Sequence, residues 1–257
     1  MGSSKPAFAA MLVLFAALWL PLGQGPFLAE HWMKIGTFAA PMLVFMAFTT
    51  RAAGAGPMLA DVKLIATAMA AAYMMHQFEE HWVDLYGRLY PLQAHLNQLM
   101  ATLFGPDSAE AMTPEALFFI NTSVVWLIAF LAIWCAPRHV FPAVAMAGVL
   151  LVNGTGHTVI AVVSGAYNPG LVTSLVLFLP LSLVFYRHGL RSGIVRPIVI
   201  AGAIGWAVLA HVILFGGLLA ANVHGIIPVS VYYAMLIAWA IVPIFVFRQP
   251  AMRREPA

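Results

Sequence analysis

The stretch His76-Gln77-Phe78-Glu79-Glu80-His81 concentrates ionisable side chains at the end of a long hydrophobic run. On a helix, His76, Glu79 and Glu80 fall within about 100° of one another, whereas His81 is expected to point away from them. Ionisable side chains at membrane depth are costly and usually face the interior of a helix bundle, where they mark a site. Two adjacent glutamates there repel each other, so that either one is protonated or a cation holds both. We therefore take His76, Glu79 and Glu80 as candidate catalytic residues and metal ligands.

Polar residues of two other predicted helices are expected at a similar depth. At 1.5 Å per residue, His76 and His211 each lie about 21 Å into their helices, Asn153 about 20 Å and His157 about 26 Å. His157 is therefore the fourth candidate metal ligand. Asn153 and His211 are expected to support the ligands through hydrogen bonds. Two further candidates stand at the outer end of an earlier predicted helix: Glu30 and His31.

The composition places these residues in a membrane protein. Of the chain, 63% is hydrophobic and 8% charged, and the mean hydropathy is +0.93. Runs of about 20 apolar residues recur, each long enough to cross the bilayer as a helix. The single cysteine, Cys135, excludes an intrachain disulfide and a site of several cysteines. The pI of about 9.2 does not indicate nucleic-acid binding, because the basic residues stand at helix ends.

Hydropathy predicts an all-α bundle, a single transmembrane domain over residues 1–257 with eight spans. The predicted spans are 7–28, 35–50, 60–83, 115–136, 140–163, 170–187, 197–220 and 228–247. With both termini in the cytoplasm, every basic residue except Lys34 and Arg88 lies on the cytoplasmic side, as the positive-inside rule requires. Lys5 before the first span is typical of a signal peptide, but no A-x-A site follows, so we expect this helix to be retained.

Several chemistries remain open for the polar cluster. Two histidines with one or two carboxylates suit Zn²⁺ or non-haem Fe(II) and leave positions open for water or oxygen. Without a metal, a buried His–Glu pair is able to move a proton on a sterol-like or isoprenoid-like substrate. Buried His and Glu are also typical of proton-coupled transport and ion handling. A polar cluster that only fixes helix packing is the plainest interpretation. The H-E-x-x-H motif of metalloproteases is absent.

The sequence resembles the bacterial membrane-protein family named for its HXXEE motif. The resemblance is carried by His76-x-x-Glu79-Glu80 with Trp82, by Asn153-x-x-x-His157, and by Tyr167-x-Pro169-Gly170-x-x-Thr173-Ser174. It covers a core of roughly residues 60–187, flanked by two-helix extensions at 1–59 and 188–257. The resemblance implies that His76, Glu79, Glu80, Asn153 and His157 form one site. It names no reaction, because the family has no settled function.

The leading hypothesis is a multi-pass protein of the bacterial inner membrane, with a buried His/Glu site near the outer leaflet. We expect a metal-dependent hydrolase or oxidoreductase that acts on a lipid-like or other small apolar substrate. In that mechanism Glu79 or Glu80 is the general base for a water held by Zn or Fe. A proton-coupled transporter and a metal-free isomerase are the alternatives. The expected partners are the bilayer and the substrate, without nucleic acid, and the oligomeric state stays open.

Overall fold

The computed structural model describes residues 25–49, 51, 56–136 and 138–247. Within this part of the chain the fold is all-α, and the only strand-like pairing is an isolated bridge between Val83 and Leu89. The helices are α1 (Pro26–Thr49), α2 (Val62–His81), α3 (Pro91–Phe104), α4 (Pro114–Cys135), α5 (Phe141–Ser164), α6 (Leu171–Arg191), α7 (Pro197–Val223) and α8 (Val229–Ile244). Most of the predicted first span, 7–28, lies outside the described residues.

Five of the described helices are long and apolar enough to cross a membrane: most of α1, and the whole of α4, α5, α6 and α7. The prediction of an all-α, multi-pass membrane protein is therefore confirmed. The helix α2 has 20 residues, but Lys63, Glu79 and Glu80 lower its apolar character, and α8 is shorter than a typical span. The count of eight spans and their orientation stay predictions.

The helices α2, α4 and α5 form the centre of the bundle. Helix α4 is buried along almost its whole length, and it packs against α2 and α5. Small side chains of α2 such as Ala66 and Ala70 are almost fully buried at these contacts. The buried polar residues of α2 and α4 must find partners inside the protein, because lipid offers none.

Three helices contain a π-helical segment, at Phe119–Val125 in α4, Ser174–Phe178 in α6 and Leu219–Val223 in α7. π-Helical turns are rare and are frequent at functional sites. The segment of α4 carries Asn121, and that of α6 begins directly after Thr173. Asn121 lies within hydrogen-bond distance of His81, and Thr173 bonds to His76, as described below. The widened turns therefore border the candidate site.

The loops at one end of the bundle bring α2, α5 and α6 together. After α2, the Asp84 carboxylate accepts hydrogen bonds from the backbone N–H groups of Tyr86 and Arg88 and from the Arg88 side chain, which closes a short turn. Between α5 and α6, Gly165 and Gly170 adopt positive φ angles of 64° and 93°. These turns place the C-terminal end of α2 beside the C-terminal half of α5 and the start of α6.

Helices α5 and α7 approach each other closely at Gly148. A Cβ atom at this position would lie 2.8 Å from the carbonyl oxygen of Ala203 and 3.2 Å from the hydroxyl of Tyr186. Small residues at helix crossings of membrane proteins permit such contacts between backbones. The crossing of α5 and α7 therefore requires glycine at 148.

We expect Gly148→Ala to destabilise the protein by about 1–3 kcal/mol, because the carbonyl of Ala203 belongs to the backbone and moves only with its helix. The measurement is the thermal unfolding midpoint of the detergent-solubilised protein. Gly156→Ala is the control: it lies in the same helix, gains the same helix propensity and meets no atom within 4 Å. Equal midpoints for the two variants would show that the helices do not touch at Gly148.

Candidate metal centre

Three side chains from α2 and α5 meet inside the bundle. His76 and Glu80 lie one turn apart on α2, and the Nε2 atom of His76 is 3.1 Å from the Glu80 Oε1 atom. The Nε2 atom of His157, from α5, is 3.0 Å from the same oxygen. One ligand atom of each residue lies within 4.8 Å of the other two, a spacing that suits a single metal ion. All three side chains are largely buried, with His76 fully inaccessible to solvent.

The proton of His76 is assigned by the partners of its Nδ1 atom. This atom lies 2.7 Å from the hydroxyl oxygen of Thr173. The hydroxyl has one proton, and it donates that proton to the Glu79 carboxylate at 2.5 Å. The hydroxyl oxygen therefore accepts from His76, so that Nδ1 carries the hydrogen. In the neutral ring, the Nε2 atom is then left with a lone pair that faces Glu80.

The same argument applies to His157. Its Nδ1 atom lies 2.6 Å from the Oδ1 atom of Asn168. The Asn168 amide nitrogen donates to the backbone carbonyl of His157, which identifies Oδ1 as the acceptor. The Nδ1 atom of His157 therefore carries the hydrogen as well, and its Nε2 lone pair also faces Glu80. A histidine that binds a metal typically donates its other N–H to an oxygen in this way.

Two imidazole lone pairs and one carboxylate oxygen thus converge on one point in an apolar interior. The Nε2 atom of His76 is buried and forms no hydrogen bond within the described part of the chain. A buried acceptor without a donor is costly, and a carboxylate beside two further lone pairs adds repulsion. A shared proton or a divalent cation would relieve both. Two histidines and one carboxylate form a ligand set typical of Zn²⁺ and of non-haem Fe(II), with coordination positions left open.

The Glu79 carboxylate forms its hydrogen bonds outside this cluster. Its Oε1 atom accepts hydrogen bonds from the Tyr167 hydroxyl and the Val172 backbone, at 2.9 and 3.0 Å. Its Oε2 atom accepts from the backbone and the hydroxyl of Thr173, at 2.7 and 2.5 Å. Val172 and Thr173 begin α6, so the carboxylate binds the free N–H groups of a helix N-terminus. Of the four predicted ligands, the structure therefore brings together His76, Glu80 and His157, and it places Glu79 behind His76.

Gly170 closes the cluster on one side. A Cβ atom built here would lie 2.7 Å from the Cε1 atom of His76, 2.8 Å from that of His157 and 3.0 Å from the Cγ atom of Glu80. The φ angle of 93° also favours glycine. Because all three members of the cluster pack against its backbone, any side chain at 170 would push them apart.

The structure corrects the prediction for His81. This residue does not point away from the cluster: its Nε2 atom lies 3.6 Å from the second oxygen of Glu80. Helical angles describe Cβ directions, and the flexible carboxylate of Glu80 reaches sideways to its neighbour. On its other side, the His81 ring packs against Trp32 at a centroid distance of 4.9 Å.

A chain of hydrogen bonds fixes the protonation of His81. The indole N–H of Trp126 donates to Gln77, whose amide nitrogen donates to the Asn121 oxygen. The Asn121 amide nitrogen then faces the carbonyl of Leu117 and the Nε2 atom of His81, at 2.9 and 3.3 Å. Because an indole N–H is only a donor, Gln77 must turn its amide oxygen toward Trp126, and this fixes the orientation of the Gln77 and Asn121 amides. The Nε2 atom of His81 therefore accepts a hydrogen bond from Asn121, which leaves the hydrogen of the neutral ring on Nδ1.

An elongated cavity of about 260 Å³ adjoins the cluster, and it is lined by Glu80, His81 and His157 among mostly aliphatic side chains. Asn153 and His211 also line it, outside the cluster itself. The Oδ1 atom of Asn153 is buried and has no hydrogen-bond partner in the part of the chain that the structure describes. The Nδ1 atom of His211 bonds to the carbonyl of Ala207.

Glu30 and His31 lie away from the cluster, near the start of α1. The Glu30 side chain is exposed, and His31 contacts Lys34 and Phe27. The residue that links this helix to the site is instead Trp32, through its contact with His81.

Sequence reasoning missed the residues that orient the ligands: Gln77, Asn121, Asn168 and Thr173. Two of them carried a signal, since Asn168 and Thr173 lie within the Tyr167–Ser174 stretch that supports the family resemblance. Gln77 lies inside the motif at one of its variable positions. Asn121 carried a weaker signal, as a polar residue in an otherwise apolar span.

Comparison with known proteins finds one family model that matches the central part of the chain. Residues 67–185 match the model of a family described as "Protein of unknown function with HXXEE motif". The matched region contains every member of the cluster and the residues that orient them. Searches of curated proteins and of solved structures found no match.

We expect the two neighbouring glutamates to respond differently to the same substitution. Glu79→Gln replaces one carboxylate oxygen with an N–H₂ group that opposes two of the four donors, and it removes the negative charge at a helix N-terminus. The unfolding midpoint therefore falls, since each unsatisfied donor costs about 1–3 kcal/mol. Glu80→Gln leaves the fold intact, because its amide donates to a histidine lone pair, but it abolishes tight binding of Zn²⁺. Thermal unfolding and Zn²⁺ titration check both. The opposite pattern would contradict the assignment of the two carboxylates.

We expect Gly170→Ala to weaken Zn²⁺ binding by at least about tenfold, since the new methyl group separates the three ligands. Gly165→Ala is the matched control. It also imposes a side chain on a positive φ angle, but it meets no atom within 4 Å. Isothermal titration with Zn²⁺ provides the comparison. Unchanged affinity in both variants would show that Gly170 does not shape the site.

Proposed function

We propose that this member of the HXXEE family is a membrane-embedded, metal-dependent enzyme that acts on an apolar substrate. The observation that carries the proposal is the convergence of three lone-pair atoms, from His76, Glu80 and His157, at the wall of an apolar cavity. Burial of such a set is unfavourable unless a cation or a shared proton occupies it. A cavity lined by aliphatic side chains with a few convergent polar groups is typical of a binding site for a small molecule.

Zn²⁺ or Fe(II) would be held by the two Nε2 atoms and by Glu80. Three protein ligands are typical of catalytic metal sites, because they leave a position for the substrate or water. Glu80 and His157 line the cavity, so the open position would face it. When bound, the metal supplies Lewis acidity, which supports a hydrolase, or, in the case of iron, redox chemistry, which supports an oxidoreductase.

The surrounding residues support this role in different ways. Thr173, anchored by Glu79, keeps the hydrogen of His76 on Nδ1, and Asn168 does the same for His157. Of the two glutamates considered as general base, Glu80 is the better candidate, because Glu79 is saturated with donors. The Oε2 atom of Glu80, which the two metal-binding histidines do not contact, would receive a proton released in the cavity.

The proposed setting is the bacterial inner membrane, with eight spans and both termini in the cytoplasm. Seven described helices, all but α3, would contribute spans, and the predicted helix at 7–28 would add the eighth. The distribution of Lys and Arg supports this orientation. It places the cluster toward the outer leaflet, where an apolar substrate is able to enter from the lipid.

The proposal is tested by the metal content of protein purified in detergent without chelators, measured by mass spectrometry. We expect close to one Zn or Fe per chain, lost in His76→Ala and in His157→Ala. His211→Ala is the control, because it removes an imidazole that lines the same cavity but lies outside the cluster. Folded wild-type protein without metal would contradict the proposal and favour a metal-free acid/base role for the same residues.

A further inference from the structure

We infer that the cavity binds an elongated, uncharged alcohol with a single hydrocarbon chain, which lies parallel to the helices with its hydroxyl group beside the cluster. The inference deepens the proposed function and rests on it for the reaction. The binding of the chain itself is argued from the shape and chemistry of the cavity walls.

One wall is a continuous face of α5. Its cavity-lining residues are Val149, Val152, Asn153, Gly156, His157 and Ile160. This spacing of three and four residues describes a single stripe along the helix. From the first to the last residue, eleven positions apart, the helix rises about 17 Å. The cavity therefore runs along the helix axis for about half the thickness of the hydrocarbon core.

A second wall has the same pattern on α4. Its lining residues are Leu117, Ile120, Asn121, Val124, Val125 and Ile128, again a single stripe over eleven positions. Two stripes of the same length, on two helices of the bundle, give the cavity a long axis along the helices. A single hydrocarbon chain fits such a cavity better than a compact ring system.

The charge of the walls excludes an ionic head group. No Lys, Arg or Asp lines the cavity within the described part of the chain, and the single glutamate, Glu80, is engaged with the cluster. The side chains of the walls therefore offer neither a phosphate nor an ammonium group a counter-charge in exchange for its lost hydration, and the one counter-charge near a phosphate would be the proposed metal ion. The cavity favours an uncharged ligand.

The polar groups of the walls lie close to one level and offer acceptors. Asn153 precedes His157 by one turn of α5, and its Oδ1 atom has no hydrogen-bond partner among the described residues. His211 uses Nδ1 to donate to Ala207, which leaves its Nε2 as an acceptor. A hydroxyl group at this level is able to donate to either residue while its oxygen faces the cluster. The remaining lining residues are apolar, apart from Tyr73, His81, Asn121 and Trp239.

Photolabelling tests the inference. A dodecyl alcohol with a terminal diazirine is added to the full-length protein in lipid nanodiscs, and the labelled residues are mapped by mass spectrometry. In parallel samples the alcohol probe is replaced by probes that have the same hydrocarbon chain and a phosphate or an amine in place of the hydroxyl group. We expect the alcohol to label the α4 and α5 stripes and the charged probes not to label them. Labels only on lipid-facing residues, or equal labelling of the stripes by the phosphate probe, would overturn the inference.

Variants that fill the cavity make the test specific. Val152→Trp and, independently, Leu214→Trp place a large side chain in the cavity, and we expect labelling of the stripes to be lost in both. Val163→Trp is the matched control: it lies on the same helix as Val152 with 83% of its surface exposed, away from the cavity. Labelling that persists in both folded filling variants would overturn the inference.

Metal content, measured on the same samples, separates this inference from the proposed function. Stripe labelling in protein without metal would support the ligand and contradict the metal-dependent reaction. Bound metal without labelling of the stripes would contradict the inferred alcohol ligand but would still support the metal centre.

Discussion

The candidate site depends on where hydrogen bonds place the protons of two imidazoles. Thr173 and Asn168 each accept from an Nδ1 atom, so the Nε2 lone pairs of His76 and His157 both turn toward Glu80. In water such an arrangement would cost little, but inside an apolar bundle it requires a cation or a proton. The cluster, the cavity beside it and the proposed chemistry all follow from this constraint.

The same constraint links the fold to the site. Glu79 and Glu80 are neighbours in the chain, and the 100° between them on α2 directs one toward α6 and the other toward α5. Glu79 satisfies the N-terminus of α6 and, through Thr173, orients His76. The packing of α6 therefore sets the geometry of the cluster, and the repulsion expected between adjacent carboxylates is relieved by four donors around Glu79.

The helices and the grouping of His76, Glu80 and His157 were predictable, because hydropathy locates spans and helical rise gives depth. The different roles of Glu79 and Glu80 were not predictable, because they depend on which backbone N–H groups lie at the start of α6. His81 was misplaced because helical angles ignore how far a side chain reaches. The chain from Trp126 to His81 involves single polar residues in two helices, and periodicity does not reveal such pairings.

X-ray absorption spectroscopy of the metal in never-chelated protein tests the central claim most directly. The account predicts close to one metal ion per chain, with two imidazole nitrogens at about 2.0–2.1 Å and a carboxylate oxygen at about 2.0–2.2 Å for zinc. It also predicts that Glu80→Gln loses the metal, whereas the folded fraction of Glu79→Gln still contains metal. A metal shell without imidazole, or a folded protein with no metal, would contradict the account.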